Sequence, residues 1–268
     1  MIVVLLAISI FYTIGWDRLS RSLPKLLEIW RPAAFLAGIA AIWLALDSPL
    51  AGLDRDLLTA DMMQHLVLMA VAAPLILLSA PSIVMLHALP PRLVRDTLAP
   101  LLRTSTVHRL ELICGHPAFG WLAGSVTVVA WHVPGIFNLA RESHHWPEVE
   151  QACFLLAGFL FWWPVVRPWP TAANPVRWSV PLYLFLATLP CDALSAFLVF
   201  SDHVVYHAYV ARSGAFNLSP LQDQIFAGAF MWATVTLAYM VPALVMMVRI
   251  LSGRLPQPSE VQSRFLKR

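Results

Sequence analysis

Charge is scarce in this chain. Asp, Glu, Lys and Arg make up 12% of its 268 residues, while 59% are apolar and the mean hydropathy is +0.70. A soluble globular domain carries about 25% charged residues. So few polar groups cannot cover a surface against water, which argues against an ordinary soluble domain and makes lipid the expected solvent. Cysteine is scarce too: Cys114, Cys153 and Cys191 form no CxxC pair and no disulfide framework. No internal repeat or low-complexity tract is present. The opening Met1-Ile2-Val3-Val4 lacks the basic n-region and small-residue cleavage site of a signal peptide, so the first segment is expected to be a retained span.

What the chain does have is long apolar stretches. A hydrocarbon core ~30 Å thick takes about 20 residues of helix. Residues 1–16, 32–47, 62–88, 117–139, 152–168, 179–201 and 223–250 are the candidates. The expected fold is an all-α, polytopic integral membrane bundle of about seven transmembrane helices. One transmembrane domain covers 1–251, and a short basic tail covers 252–268.

Loop charges orient this bundle. One set of alternate loops holds Arg18, Arg21, Lys25 and Arg31, then Arg92, Arg95, Arg103 and Arg109, then Arg167 and Arg177. The end of the chain, from Arg249 on, brings that side to fifteen basic residues. The other side has three: Arg55, Arg141 and Arg212. Seven spans obey the positive-inside rule with the N-terminus outside and the C-terminus cytoplasmic, whereas six or eight would scramble it. The pI near 9.0 is therefore a topology signal and calls for no nucleic-acid partner.

Two helix starts on the outer side are readable. Asp61-Met62-Met63-Gln64 resembles a capping box for the third span, and Ser219-Pro220-Leu221-Gln222 is a fuller one for the seventh. Asp223 then reads as a first-turn acid that favours its own helix dipole.

With that orientation, His65, His132, His144, His145, His203 and His207 fall at or near the outer face, and His87, His108 and His116 near the cytoplasm. Imidazole is a common metal ligand, so an outer concentration suggests a metal handled there; histidine also simply tolerates the interface. Met62, His65 and Met69 are spaced i, i+3, i+7 and share one helical face, a soft donor set suited to Cu(I). The alternative is methionine as ordinary filler between helices. His132 stands in Trp131-His132-Val133-Pro134, where Pro134 is expected to kink the span beside the imidazole. An interhelical hydrogen bond would explain it equally. His203 and His207 are i, i+4 and would face the same way if the sixth span continues as a helix; a solvated pair is the plainer reading. Asp192, inside the sixth span, must be protonated, paired or lining a wet cavity. Cys153 or Cys191 offers a thiol to a copper site, or serves as a small apolar filler.

Several stretches carry a family resemblance. Met63-Gln64-His65-Leu66 with Ala73-Pro74 and Ala80-Pro81, Trp131-His132-Val133-Pro134, Phe154 through Pro164, and Leu218 through Gln224 with Met231-Trp232 resemble the multi-span CtaG-type assembly factors of aa-three-class cytochrome c oxidases. The resemblance covers residues 12 to 250. It implies a multi-pass protein of the bacterial inner membrane that is no enzyme but matures the oxidase, supplying copper to the dinuclear copper site of subunit II. Implied partners are oxidase subunit II or I and a periplasmic copper chaperone. His65, His132 and Asp223 match positions in the family's motifs. The chain departs from them at Glu150-Gln151, where the family often has His after Glu, and at Tyr206-His207, where it often has Tyr-Pro. One potential ligand is thereby lost and one gained. A copper or cation transporter, a b-type haem protein with histidines from different spans, and a metal-free scaffold for oxidase subunits are the rival readings.

Overall fold

The computed structural model describes residues 1–22, 28–49, 51–102, 104–142, 145–166, 178–210 and 218–252. The basic tail beyond Ser252, His144, and the loop basic residues Arg167, Arg177 and Arg212 lie outside the described residues. Most of the described residues are helical, and there is no strand among them.

Five helices are long and apolar enough to cross a membrane: α1 (Ile2–Ser22), α3 (Leu58–Leu78), α8 (Trp146–Val166), α9 (Ser179–Phe200) and α10 (Pro220–Leu251). A sixth crossing arises if α5 (Ser105–Cys114) and α6 (Pro117–Trp131), bent by 64°, act together. The apolar helix α2 (Trp30–Leu46) is shorter, at 17 residues. Shorter helices include α4 (Pro81–Ala88) and α7 (Pro134–Glu142), and a further helical stretch covers 91–102. The chain is thus a helical membrane bundle.

α3 is its central helix: 61% of its apolar stretch is buried, against 17% in α1 and in α10. One face packs Leu68, Ala72 and Ile76 against α1, α2 and α4, where Tyr12 stacks on Phe35 with ring centroids 3.8 Å apart. The opposite face packs Met62, Leu66 and Met69 against α6, α8, α9 and α10. Where α3 meets α8, a Cβ built on Gly158 would lie 2.9 Å from Met69 Cα and from Ala73 Cβ. Only a residue without a side chain lets the backbones approach this closely, a usual device between membrane helices.

Proline explains the breaks. Pro74 cannot donate to α3, and the preceding residues Val67–Ala72 widen into a π-turn. In that wider pattern the partner of the Met69 carbonyl would be the missing N–H of Pro74. The Trp162 indole takes its place, donating to Met69 O at 3.0 Å. Two expected spans are corrected here. The stretch 62–88 is not one helix: Ala80 turns left-handed at φ 50° before Pro81 starts α4. Nor does 117–139 merely kink, because the helix stops at Trp131 and restarts at Pro134 as α7. In an unbroken helix the Pro134 ring would collide with the Ala130 carbonyl, and the break removes that clash.

The two expected helix starts fare differently. At α10 the Ser219 side chain accepts from Gln222 N while Gln222 Oε1 accepts from Ser219 N at 2.9 Å, a full capping box. α3 instead starts at Leu58, so Asp61 lies inside the helix and caps nothing. Its cap comes from α10. The Asp223 carboxylate accepts from Leu58 N at 2.6 Å, Thr59 N at 3.2 Å and the Thr59 hydroxyl at 2.6 Å. Asp223 therefore sits at two helix N-termini at once, which a single-helix reading misses.

Candidate functional site

The end of the bundle where α3, α8 and α10 begin holds a buried polar cluster. Asp61 and His65 are i, i+4 on α3, Glu150 stands one turn into α8, and Arg141 closes α7. Asp61, His65 and Glu150 are 1%, 3% and 2% exposed. The Arg141 guanidinium makes a close ion pair with Asp61 and lies 3.6 Å from Glu150 and 3.9 Å from Asp54. It rests over the Phe137 ring, its carbon 5.2 Å from the centroid. Asp54, in the turn before α3, has its carboxyl pushed above the ordinary value, first by burial and then by the Asp61 charge.

His65 stacks on Phe154 with centroids 4.1 Å apart. Its Nε2 faces Glu150 Oε1 at 3.4 Å and Asp61 Oδ1 at 3.6 Å, yet neither ring nitrogen makes a hydrogen bond. Buried polar atoms without partners are rare and ask for an explanation.

His132 is the first residue after α6, and the helix break exposes its backbone to other partners. Its carbonyl accepts from the Tyr206 hydroxyl at 3.0 Å, while its Nδ1 lies 2.7 Å from Val128 O. A carbonyl can only accept, so Nδ1 carries the proton and the lone pair of a neutral ring sits on Nε2. That Nε2 meets Met62 Sδ at 3.0 Å. Two lone-pair donors thus face each other with no proton between them. The His65 and His132 rings are edge to face, with centroids 6.3 Å apart.

Both rings, Met62, Met69 and Cys191 line one enclosed space of about 40 Å³ between α3, α6, α8, α9 and α10. That holds an ion or a few waters. Pockets that accept cofactor-sized molecules run ~300–1,000 Å³, well above this space.

The structure therefore brings together His65, His132, Met62 and Met69. It keeps the other candidates apart from them. Asp192 is half-buried on α9 and does not line the space; its neighbour Cys191 does. Cys153, half-buried on α8, packs against the apolar core. α9 ends at Phe200, so His203 and His207 share no helical face. His203 is exposed beside Asp202, at 3.2 Å, and exposed His207 opens a short 3-10 turn. Gln151 donates to Gln64 Oε1 at 3.3 Å, and Gln64 in turn donates to Ala51 O at 2.8 Å.

Asp61, Glu150 and Arg141 belong to the cluster without having been singled out. The signals were present. Asp61 and His65 are i, i+4, which puts them on one face, and Arg141 is one of only three basic residues on its side, among Glu142, Glu148 and Glu150.

Compared with known families, residues 10–252 match the cytochrome c oxidase caa3 assembly factors. No curated protein and no solved structure matches the chain.

Proposed function

Because this chain belongs to the cytochrome c oxidase caa3 assembly factor family, we propose that it carries copper to the oxidase through the space between His65, His132, Met62 and Met69. One observation carries this reading: His132 Nε2 and Met62 Sδ, 3.0 Å apart, present two lone pairs and no proton to a buried space. Bonds of ~2.0 Å to nitrogen and ~2.3 Å to sulfur reach both atoms from one point. Thioether and imidazole together favour Cu(I), and Met69 and Cys191 extend the soft lining. Copper is cargo here, bound and handed over without chemistry, so the protein acts as a carrier and no enzyme.

The loop charges set the rest of the reading. Fifteen basic residues against three support an orientation with this end of the bundle at the outer face of the bacterial inner membrane, seven spans and a cytoplasmic C-terminus. Copper would be accepted from a periplasmic chaperone and passed to the exposed dinuclear site of subunit II. A reporter fused within 202–210 is expected to read external, and a cytoplasmic reading would overturn the orientation.

The site is tested by His132→Ala and Met62→Leu in a strain lacking the native gene. Each should lower bound Cu(I) and cytochrome c oxidase activity while the protein's membrane level holds, with quinol oxidases less affected. Full copper occupancy of the oxidase in cells carrying His132→Ala would sink the proposal.

A further inference from the structure

We infer that Asp61, His65 and Glu150 form a second metal site, for a divalent first-row cation, with Arg141 as its built-in counter-ion. This is separate from the sulfur-lined space: it shares His65 but uses carboxylates where the copper reading uses thioethers, and either can fail alone.

Geometry comes first. One donor atom from each of the three residues lies within 4.8 Å of the others. His65 Nε2 stands 3.4 Å from Glu150 Oε1 and 3.6 Å from Asp61 Oδ1. Those separations are long for hydrogen bonds, which run ~2.7–3.2 Å. They are close to the edge of a tetrahedron whose metal–ligand bonds are ~2.0–2.2 Å, roughly 3.3–3.6 Å. The nitrogen therefore stands at a distance from the carboxylates that suits an ion between them.

Saturation and charge agree. All three side chains are more than nine-tenths buried, and both His65 nitrogens and Asp61 Oδ2 have no hydrogen-bond partner. An ion-pair network built for stability alone would use those atoms, since a buried polar group left unsatisfied forfeits its hydration without replacement. Two buried carboxylates, with Asp54 a third nearby, face the Arg141 guanidinium. Arg141 supplies part of the missing positive charge, and a cation supplies it better. On entry the cation takes Asp61 Oδ1 from the guanidinium, which retains Asp54.

Donor type sets the occupant. One imidazole and two carboxylates without sulfur suit a divalent borderline cation and disfavour Cu(I). Three protein ligands leave a position open for water or an arriving donor.

The test uses the full chain purified in detergent, with Zn²⁺ as a redox-silent probe and Cu(I) in parallel competition titrations. The wild type should bind both. Glu150→Gln, which keeps the shape and removes the charge, should weaken Zn²⁺ by about tenfold or more and leave Cu(I) within about twofold. Met62→Leu should do the reverse, and His65→Ala should weaken both. Arg141→Gln should unfold at a lower temperature than wild type, and Zn²⁺ should raise that temperature more than it does in the wild type. Zn²⁺ binding unchanged in Glu150→Gln, or absent from folded wild-type protein, overturns the second site while leaving the copper reading intact. Loss of Cu(I) alone in Met62→Leu with Zn²⁺ retained supports two separate sites.

Discussion

On one face of α3, Leu68, Ala72 and Ile76 meet Tyr12, Phe35 and Ile42 in a core that holds no buried carboxylate among the described residues. On the other face, Met62, His65 and Met69 meet a buried glutamate, an arginine, a second histidine and a space of about 40 Å³. The same helix thus serves two cores built on different terms. The first is held mainly by shape, with polar ties from Tyr12 to Ser79 O at 3.0 Å and from Arg18 to Ala88 O at 2.8 Å. The second gathers charges from four chain segments, and each is tolerable only because the others are present. Apolar packing degrades gradually, whereas a buried charge network fails when one member goes.

Mutations can break or sharpen that contrast. Arg141→Ala, on the charged face, leaves Asp61 and Glu150 buried without their cation and should cost about 3–5 kcal/mol. Reversible unfolding in mixed micelles measures it, and a loss below about 1 kcal/mol would mean that water already reaches the cluster. Gly158→Ala tests the seam beneath it. The new methyl meets Met69 and Ala73 at 2.9 Å, so an overpacking loss of about 1–3 kcal/mol is expected by the same assay. Tyr12→Phe on the apolar face keeps the stack on Phe35 and removes only one hydrogen bond. In a membrane protein that is worth ~0.6 kcal/mol on average, and a loss above about 2 kcal/mol would show that this face, too, depends on polar contacts. His203→Ala should change stability by less than ~0.5 kcal/mol and leave oxidase maturation unchanged, because its ring is exposed. A maturation defect there would extend the functional surface beyond the buried space.

The contrast also separates two histidine pairs that look alike on paper. His203 and His207 have the tidier spacing, i, i+4, but the helix that would have aligned them stops at Phe200. Gln224 holds the chain beyond that stop, accepting from Val205 N at 2.7 Å and donating to His203 O at 3.2 Å. His65 and His132 are 67 positions apart, and only the packing of α3 against α6 and α8 sets their rings 6.3 Å from each other. Spacing reports geometry along one helix and says nothing about the next.

The sequence by itself determined the solvent, the fold class and the apolar segments. Those follow from composition and from runs of about 20 apolar residues, which depend on no long-range contact. The α10 capping box was equally legible, being local within four residues. The Met62, His65, Met69 face was legible for the same reason, as one helical stripe. Tertiary structure decided what those local signals meant. Proline ended helices at 79–81 and 132–134, and continued them at Pro164, Pro190 and Pro242, because neighbouring packing settles whether a proline bends or breaks. It took Asp61 out of a cap and put Asp223 of another helix there, and it turned a loop glutamate into a partner of His65 and a lone loop arginine into the counter-ion of Asp61 and Glu150. Burial and charge pairing are properties of folded surroundings, so no reading of neighbours along the chain assembles them.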